Sequence, residues 1–151
     1  LYNYSDVGYN YRMPNLNASL GVSQLPFLEQ LVKKKIIIAN RYDKAFKDIK
    51  NFVIMPRESW CISSCWLYSV QFKTKRKASS FANYLSKNMI GARMFWNALS
   101  LQKPYKHFKS VLNGTASYLS YKVVSIPCST SLKINEQERV ISLVKKWCKD
   151  E

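Results

Sequence analysis

The sequence predicts an α+β fold: a small sheet with one face covered by helices, preceded by a helical N-terminal arm. Two kinds of pattern carry this reading. Cys65 to Phe72 alternates, with Trp66, Tyr68, Val70 and Phe72 on one side and Cys65, Leu67, Ser69 and Gln71 on the other. That is the period of a strand with one strongly apolar face. Lys77 to Asn88 instead spaces Ala78, Phe81, Ala82 and Leu85 at helical intervals, and Asn135 to about Lys149 does the same with Ile141, Val144 and Cys148. Strands and helices that alternate in this way build layered α+β domains.

The elements follow in order. Residues 1–13 show no period and read as irregular. Pro14 or Asn15 starts a helix, since proline suits the first helical position and asparagine caps well. Leu16, Leu20 and Leu25 give that helix a short apolar stripe. Pro26 breaks or restarts it, having no amide proton to donate. From Phe27 to about Ile49 the pattern is helical again, with Leu28, Leu31, Ile38, Tyr42, Ala45 and Ile49 recurring on one face. Lys35 interrupts that face, so it is not buried throughout. A boundary falls near Lys50, before a stretch with Pro56 and few helix signals. Gly91 closes the helix after the first strand or turns the chain. Ala92 to Trp96 reads as a second, short strand. Leu99 to Asn113 reads as loop, and Gly114 to Tyr121 as a short helix. Val123 to Ile126 is a third strand, ended by Pro127. Asn135 caps the last helix, with Glu138 three residues on in a capping-box arrangement.

The chain has 151 residues, 47% hydrophobic and 22% charged, which fits one globular domain. No apolar run approaches the roughly 20 residues of a membrane span. The first residues have neither a basic start nor an apolar block, so no secretory leader and a cytoplasmic setting are expected. A first residue of Leu1 rather than Met leads to the expectation of sequence upstream. Lys and Arg number 24 against 9 Asp and Glu, a net charge of +15. Such an excess draws nucleic acid, anionic membranes or phosphorylated substrates, or is a solvated lysine-rich surface. The charges are spread along the chain, which favours the solvated surface. The segment Tyr105-Lys106-His107-Phe108-Lys109 interleaves rings with cations, as a module binding single-stranded nucleic acid or another polyanion would.

Of the four cysteines, only Cys61 and Cys65 lie close, as C-x-x-x-C, and the chain has one histidine, His107. No second pair completes a four-ligand metal site, and reduced, mostly buried thiols are expected. One histidine also leaves no Ser-His-Asp set to propose, and with four glycines there is no phosphate-cradling glycine loop. No self-contained catalytic set emerges.

The segment Gly8 to Gly21, GYNYRMPNLNASLG, closely resembles the G-[YF]-N-Y-R-M-x-N-x-x-A-A-[IL]-G segment of the DegT/DnrJ/StrS sugar-nucleotide aminotransferases. Val22 to Tyr42, VSQLPFLEQLVKKKIIIANRY, is similar to that family's following helix. Gly91 to Tyr105, GARMFWNALSLQKPY, resembles its G-I-x-x-R-x-[FY]-W-x-P-L-H-x-Q-P-x-Y block. Val124 to Ser131, VSIPCSTS, resembles its G-[IL]-x-L-P strand, and Ile134 to Val144 its closing helix. The likeness is collinear over nearly the whole chain.

The resemblance implies the C-terminal small domain of a fold-type-I pyridoxal 5'-phosphate (PLP) aminotransferase, with a small, mostly antiparallel sheet. Residues 1–50 then hold the irregular segment and the interface and connecting helices, and residues 51–151 the small domain. The family's PLP-holding lysine and the acid that pairs with the cofactor ring belong to a larger N-terminal domain preceding the GYNYR segment. The piece alone is therefore expected to bind no PLP and to be inactive. Partners implied are that missing domain, a second copy in a homodimer, and a nucleotide-sugar substrate; no membrane or nucleic-acid partner is expected. Asn10 and Arg12 match positions that reach toward the partner's PLP phosphate, and an amide donor with a guanidinium fork suits a phosphate. The alternative is that Asn10 makes a turn and Arg12 pairs with Asp6. Arg93 and Trp96 match positions near the nucleotide-sugar pocket, against the alternatives of a surface arginine and a core tryptophan. Where the family has Pro-Leu-His, this chain has Ala98-Leu99-Ser100. Ser100 is thus the substrate-contact position that departs from the pattern.

Overall fold

Four antiparallel strands form one sheet, in the order β1-β2-β4-β3. The computed structural model describes residues 3–151. Its strands are β1 (Val53–Ile54), β2 (Tyr68–Gln71), β3 (Arg93–Met94) and β4 (Val123–Ile126). Its helices are α1 (Asn15–Gln24), α2 (Leu28–Phe46), α3 (Lys75–Lys87), α4 (Thr115–Leu119) and α5 (Ile134–Asp150). The central pair β2–β4 is in register from Tyr68 opposite Ile126 to Gln71 opposite Val123. β1 was not expected; at two residues it is too short to show a period.

The core lies between one sheet face and α3, α5 and the second half of α2. Tyr68, Val70 and Phe72 point into it, as the alternation predicts, together with Val124 and Ile126 from β4. Aromatic rings form its spine. Tyr42 lies 4.8 Å from Tyr68 and stacks on Phe46, Phe46 meets Phe52 edge-on, and Phe52 leads through Phe72 and Phe81 to Trp147. Such offset and edge-on pairs add stability beyond the area they bury.

Trp66 departs from the expected parity. It is 66% exposed rather than inward. Cys65 takes a left-handed backbone (φ 51°), which turns the chain just before β2 and breaks the alternation at that point. In α5 the buried face is Gln137, Val140, Val144 and Trp147, while the expected Ile141 and Cys148 only flank it. The polar Gln137 hides this face from a hydrophobicity reading; its side chain is satisfied, donating to the Ile38 carbonyl at 2.8 Å. The cap also lies earlier than expected. Lys133, not Asn135, occupies it, and the Glu136 carboxylate accepts from the Lys133 backbone N–H at 2.8 Å.

Pro26 restarts the helix rather than ending it. A short 3-10 turn, Leu25–Phe27, joins α1 to α2, so residues 15–46 run on as one helical arm. Only Ile38, Ala39, Tyr42 and Phe46 of that arm are buried. Leu16, Leu20, Leu25 and Leu28 are exposed. Thr74 caps α3, accepting from the Lys77 N–H at 3.3 Å. Residues 99–105, expected as loop, form two 3-10 turns around a buried Pro104. Among the described residues no helix is long and apolar enough to cross a membrane.

The end of α3 yields a test. Gly91 was expected to close this helix or to turn the chain; Met89 holds the left-handed position (φ 59°), and the Ile90 N–H folds back to the Leu85 carbonyl at 2.9 Å. Met89 is 86% exposed, so little packing offsets the strain. Met89→Gly is expected to raise stability by about 1 kcal/mol, since a non-glycine residue at this conformation costs roughly that much. An unchanged or lowered denaturant midpoint contradicts the assignment.

Candidate functional site

The helices cover one face of the sheet, and the other face is open. Ser69 and Gln71 of β2 and Val123 and Ser125 of β4 lie on it. The Ser69 and Ser125 hydroxyls meet across the strands at 2.8 Å. A groove of about 400 Å³ runs over this face, walled by Met55, Trp66, Leu67, Phe95, Trp96 and Leu119. Trp66 and Trp96 stack with ring centres 5.7 Å apart and planes 20° apart, and Phe95 meets Trp96 edge-on at 5.0 Å. A smaller hollow of about 160 Å³ beside the pair is lined by Arg93 and Ser125. The structure therefore brings Arg93 and Trp96 to one place. Trp96 is not a core tryptophan; it is 37% exposed on the open face. Ser100 sits half-buried in the turn Leu99–Leu101, just beyond.

Three polar contacts hold residues 97–102 in place. The Ala98 N–H donates to Ser120 Oγ at 3.0 Å, the buried Asn97 amide donates to Asn3 Oδ1 at 3.2 Å, and the Tyr4 N–H donates to Gln102 Oε1 at 3.1 Å. The last two stitch the N-terminal segment to the Arg93–Tyr105 block. Asn10 and Arg12 follow on an extended, exposed stretch beside the tilted Tyr9–Tyr11 pair. Asp6 accepts from the Ser5 hydroxyl, and among the described residues no ion pair joins it to Arg12. None of the hollows described here is lined by Asn10 or Arg12. Their donors suit a phosphate, but this chain does not enclose one around them.

Sequence reasoning missed Trp66, Asn97, Gln102 and Ser120 as parts of this region. Trp66 was misplaced by parity, and the other three are ordinary polar residues whose role appears only in tertiary contacts. The lone His107 lies exposed against Phe108, and Tyr105 and Phe108 also pack on one another.

A second polar cluster joins α2 to the sheet. Lys35 donates to the carbonyls of Trp66 and Cys128, which explains the break it makes in the apolar face of α2. Asp43 accepts from the Tyr68 hydroxyl at 2.8 Å and pairs with Arg57 at 3.0 Å. Arg57 Nη1 in turn donates to Cys65 Sγ at 3.0 Å. Burial works against the Arg57 charge, yet its hydrogen bonds to Asp43 and Cys65 outweigh that and its pKa is raised. Burial pushes the hydroxyls of Tyr42 and Tyr68 and the thiol of Cys128 up, and the Cys148 thiol up to about 11.

A profile of the DegT/DnrJ/EryC1/StrS aminotransferase family matches residues 1–145. The chain is 27% identical over 97% of its length to EpsN of Bacillus subtilis (strain 168), which is named as a pyridoxal phosphate-dependent aminotransferase, and it covers 41% of that protein. It is 28% identical over 87% of its length to the GDP-perosamine synthase of Escherichia coli O157:H7, covering 35% of it. Its fold matches the aminotransferase TlmJ from Streptoalloteichus hindustanus (TM-score 0.77, 25% identity, 87% of this chain and 35% of that one). It also matches Helicobacter pylori PseC, an aminotransferase of pseudoaminic acid biosynthesis (TM-score 0.78, 23% identity, 97% of this chain and 40% of that one). The chain spans about two fifths of the length of the relatives it matches.

The buried hydroxyls and thiols make stability pH-dependent. Each holds its proton more tightly in the fold than in the unfolded chain. Their contribution is complete below the unfolded values, 9.0 for cysteine and 10.0 for tyrosine, and is lost as pH rises through the folded ones. The denaturant midpoint is expected to stay flat from neutral pH to about pH 9 and then to fall. Tyr42→Phe removes the bond to the Pro127 carbonyl, 2.9 Å long. It should cost about 1 kcal/mol at neutral pH while making the alkaline fall shallower. A midpoint indifferent to pH up to pH 11 contradicts this account.

Proposed function

The chain belongs to the DegT/DnrJ/EryC1/StrS aminotransferase family, and from that premise we propose that it is the C-terminal part of a PLP-dependent enzyme that passes an amino group to a keto-sugar nucleotide. What supports this is the family match over residues 1–145 together with the collinear resemblance of the GYNYR segment, the arm and the Arg93–Tyr105 block to family motifs. The naming of relatives for perosamine and pseudoaminic acid supports a sugar-derived acceptor. Products of this class feed surface polysaccharide and amino-sugar synthesis.

In this reading Arg93 and Trp96 meet the nucleotide sugar at the rim of the open sheet face. The guanidinium is suited to its phosphates and the ring to stacking. Asn10 and Arg12 serve a neighbouring copy by donating to its PLP phosphate. PLP, where bound, supplies the group that carries the amino nitrogen. This chain positions and recognises, and it carries no lysine in the family's PLP-holding context.

Two measurements test the proposal. PLP mixed with the purified chain should give no stoichiometric absorbance band of a lysine-bound cofactor. A band that an amino donor quenches would overturn the inactivity of the piece. The exposed leucines of α1 and the neighbouring Val22, Phe27 and Leu28 form an apolar surface of the kind that marks an interface. Light scattering should therefore show concentration-dependent self-association. Leu16→Asp with Leu20→Asp should abolish it, and a strict monomer at high concentration counts against the interface.

A further inference from the structure

The proposed function gives the Cys61/Cys65 pair no role, and three observations set Cys65 apart from an inert core thiol. First, it is buried in a left-handed backbone conformation (φ 51°), unusual for any residue with a side chain. Backbone outliers of this kind concentrate at functional positions. Second, its sulfur accepts a hydrogen bond from Arg57 Nη1 at 3.0 Å, and Asp43 fixes that guanidinium from the other side. A guanidinium donating to a thiol sulfur is among the neighbours found at reactive cysteines. Third, Cys65 is not sealed off. It lines a hollow of about 340 Å³ between Ile36 and Asn40 of α2 and the loop before β2, and the exposed Cys61 lines the same hollow.

We propose that Cys61 and Cys65 form a peroxide-oxidisable dithiol, in which Cys65 is attacked first and Cys61 closes the disulfide. Hydrogen peroxide is the oxidant. Cys65 sulfur displaces hydroxide from the peroxide O–O bond and becomes a sulfenic acid, its thiol proton leaving with the hydroxide as water. The Cys61 sulfur then attacks the Cys65 sulfur, the S–O bond breaks, and the hydroxyl leaves as a second water with the Cys61 proton. Two thiols and one peroxide give one disulfide and two waters. Cys128 is the rival resolving thiol; it is buried, as Cys65 is, but unlike Cys61 it does not line the hollow that Cys65 lines, and its S–H points at the Cys65 carbonyl at 3.5 Å. The loop that would close also carries Ser63 and Trp66, which wall the groove on the open sheet face. Oxidation at Cys65 therefore acts on that wall.

The test uses the intact chain and measured doses of hydrogen peroxide. Trypsin releases Glu58 to Lys73 as one peptide that holds both thiols. The expected product is that peptide lighter by two hydrogens, restored by dithiothreitol. In Cys61→Ser, dimedone should trap a sulfenic acid at Cys65. Arg57→Gln removes the hydrogen bond to Cys65 Sγ and should slow loss of the Cys65 thiol. Cys128→Ser should leave the product unchanged. The proposal is overturned if the disulfide joins Cys65 to Cys128 or Cys148. It is equally overturned if Cys61→Ser traps dimedone at another thiol or nowhere. Should Arg57→Gln fail to fold, the dimedone position in Cys61→Ser decides alone.

Discussion

Tyr42 is the contact on which the rest of the structure depends. Its ring is fully buried between Phe46 and Tyr68, and its hydroxyl holds the Pro127 carbonyl at the end of β4. One side chain thus ties the helical arm to both central strands. An antiparallel sheet needs at least one face covered to be stable in water. Here α3 and α5 cover part of that face, and α2 completes the layer only because Tyr42 and Phe46 bring it down. Lys35, one pair of turns earlier in α2, repeats the attachment with polar groups at the same end of the sheet. Before Lys35 none of the described arm residues is fully buried, and Leu16, Leu20, Leu25 and Leu28 face solvent.

This attachment decides where chemistry can occur. With three helices committed to one face, the open face is the surface left for recognition. It is not a generic solvated face, which on an antiparallel sheet would alternate to polar residues. It carries Trp66, Trp96, Phe95 and Leu67 around a small polar centre made by Ser69 and Ser125. Large rings at such a rim, with an arginine beside them, are the chemistry of binding a flat, charged ligand or the face of another domain. The N-terminal segment is stitched to the same rim through Asn97 and Gln102. Asn3 and Tyr4, just ahead of the GYNYR segment, therefore meet the Arg93–Tyr105 block at one edge of the fold.

The sequence made the strong periods legible and left the exceptions hidden, for identifiable reasons. β4 and the inward set of β2 follow from alternation, and α3 from helical spacing. Trp66 was unreadable because parity counts positions as though the strand continued, whereas Cys65 reverses the chain just before it. The buried face of α5 was misread because its central residue is Gln137, whose burial depends on a carbonyl from α2 and not on hydrophobicity. Met89 took the helix-closing position that glycine statistics assign to Gly91. The candidate site was legible in another way. Nothing in the chemistry of Arg93 or Trp96 taken singly distinguishes them, and their grouping came from several motifs in a fixed order. Asn97 and Gln102 lie inside the block that resembles the family's, yet their contacts to Asn3 and Tyr4, like that of Ser120 to Ala98, show only in the fold.

Ser100 shows how far the motif argument extends under the proposed function. The family block carries Pro-Leu-His, and a histidine there offers a long, planar side chain that can donate or accept at near-neutral pH. Serine offers one hydroxyl on a short stem and no titration in that range. The backbone cannot compensate by moving closer. Ala98 is fixed to Ser120 Oγ, Ser120 is fixed to the Ala116 carbonyl, and Pro104 is buried just beyond. A contact made by an imidazole in a relative is therefore out of reach of Ser100 without a bridging water. Under the proposed function, recognition on this side of the groove would fall instead to groups that already project from the rim, chiefly Arg93 and the Trp66–Trp96 pair. Trp66 lies in none of the segments that resemble family motifs, so a substrate preference of its own would arise from the loop before β2 rather than from the shared block.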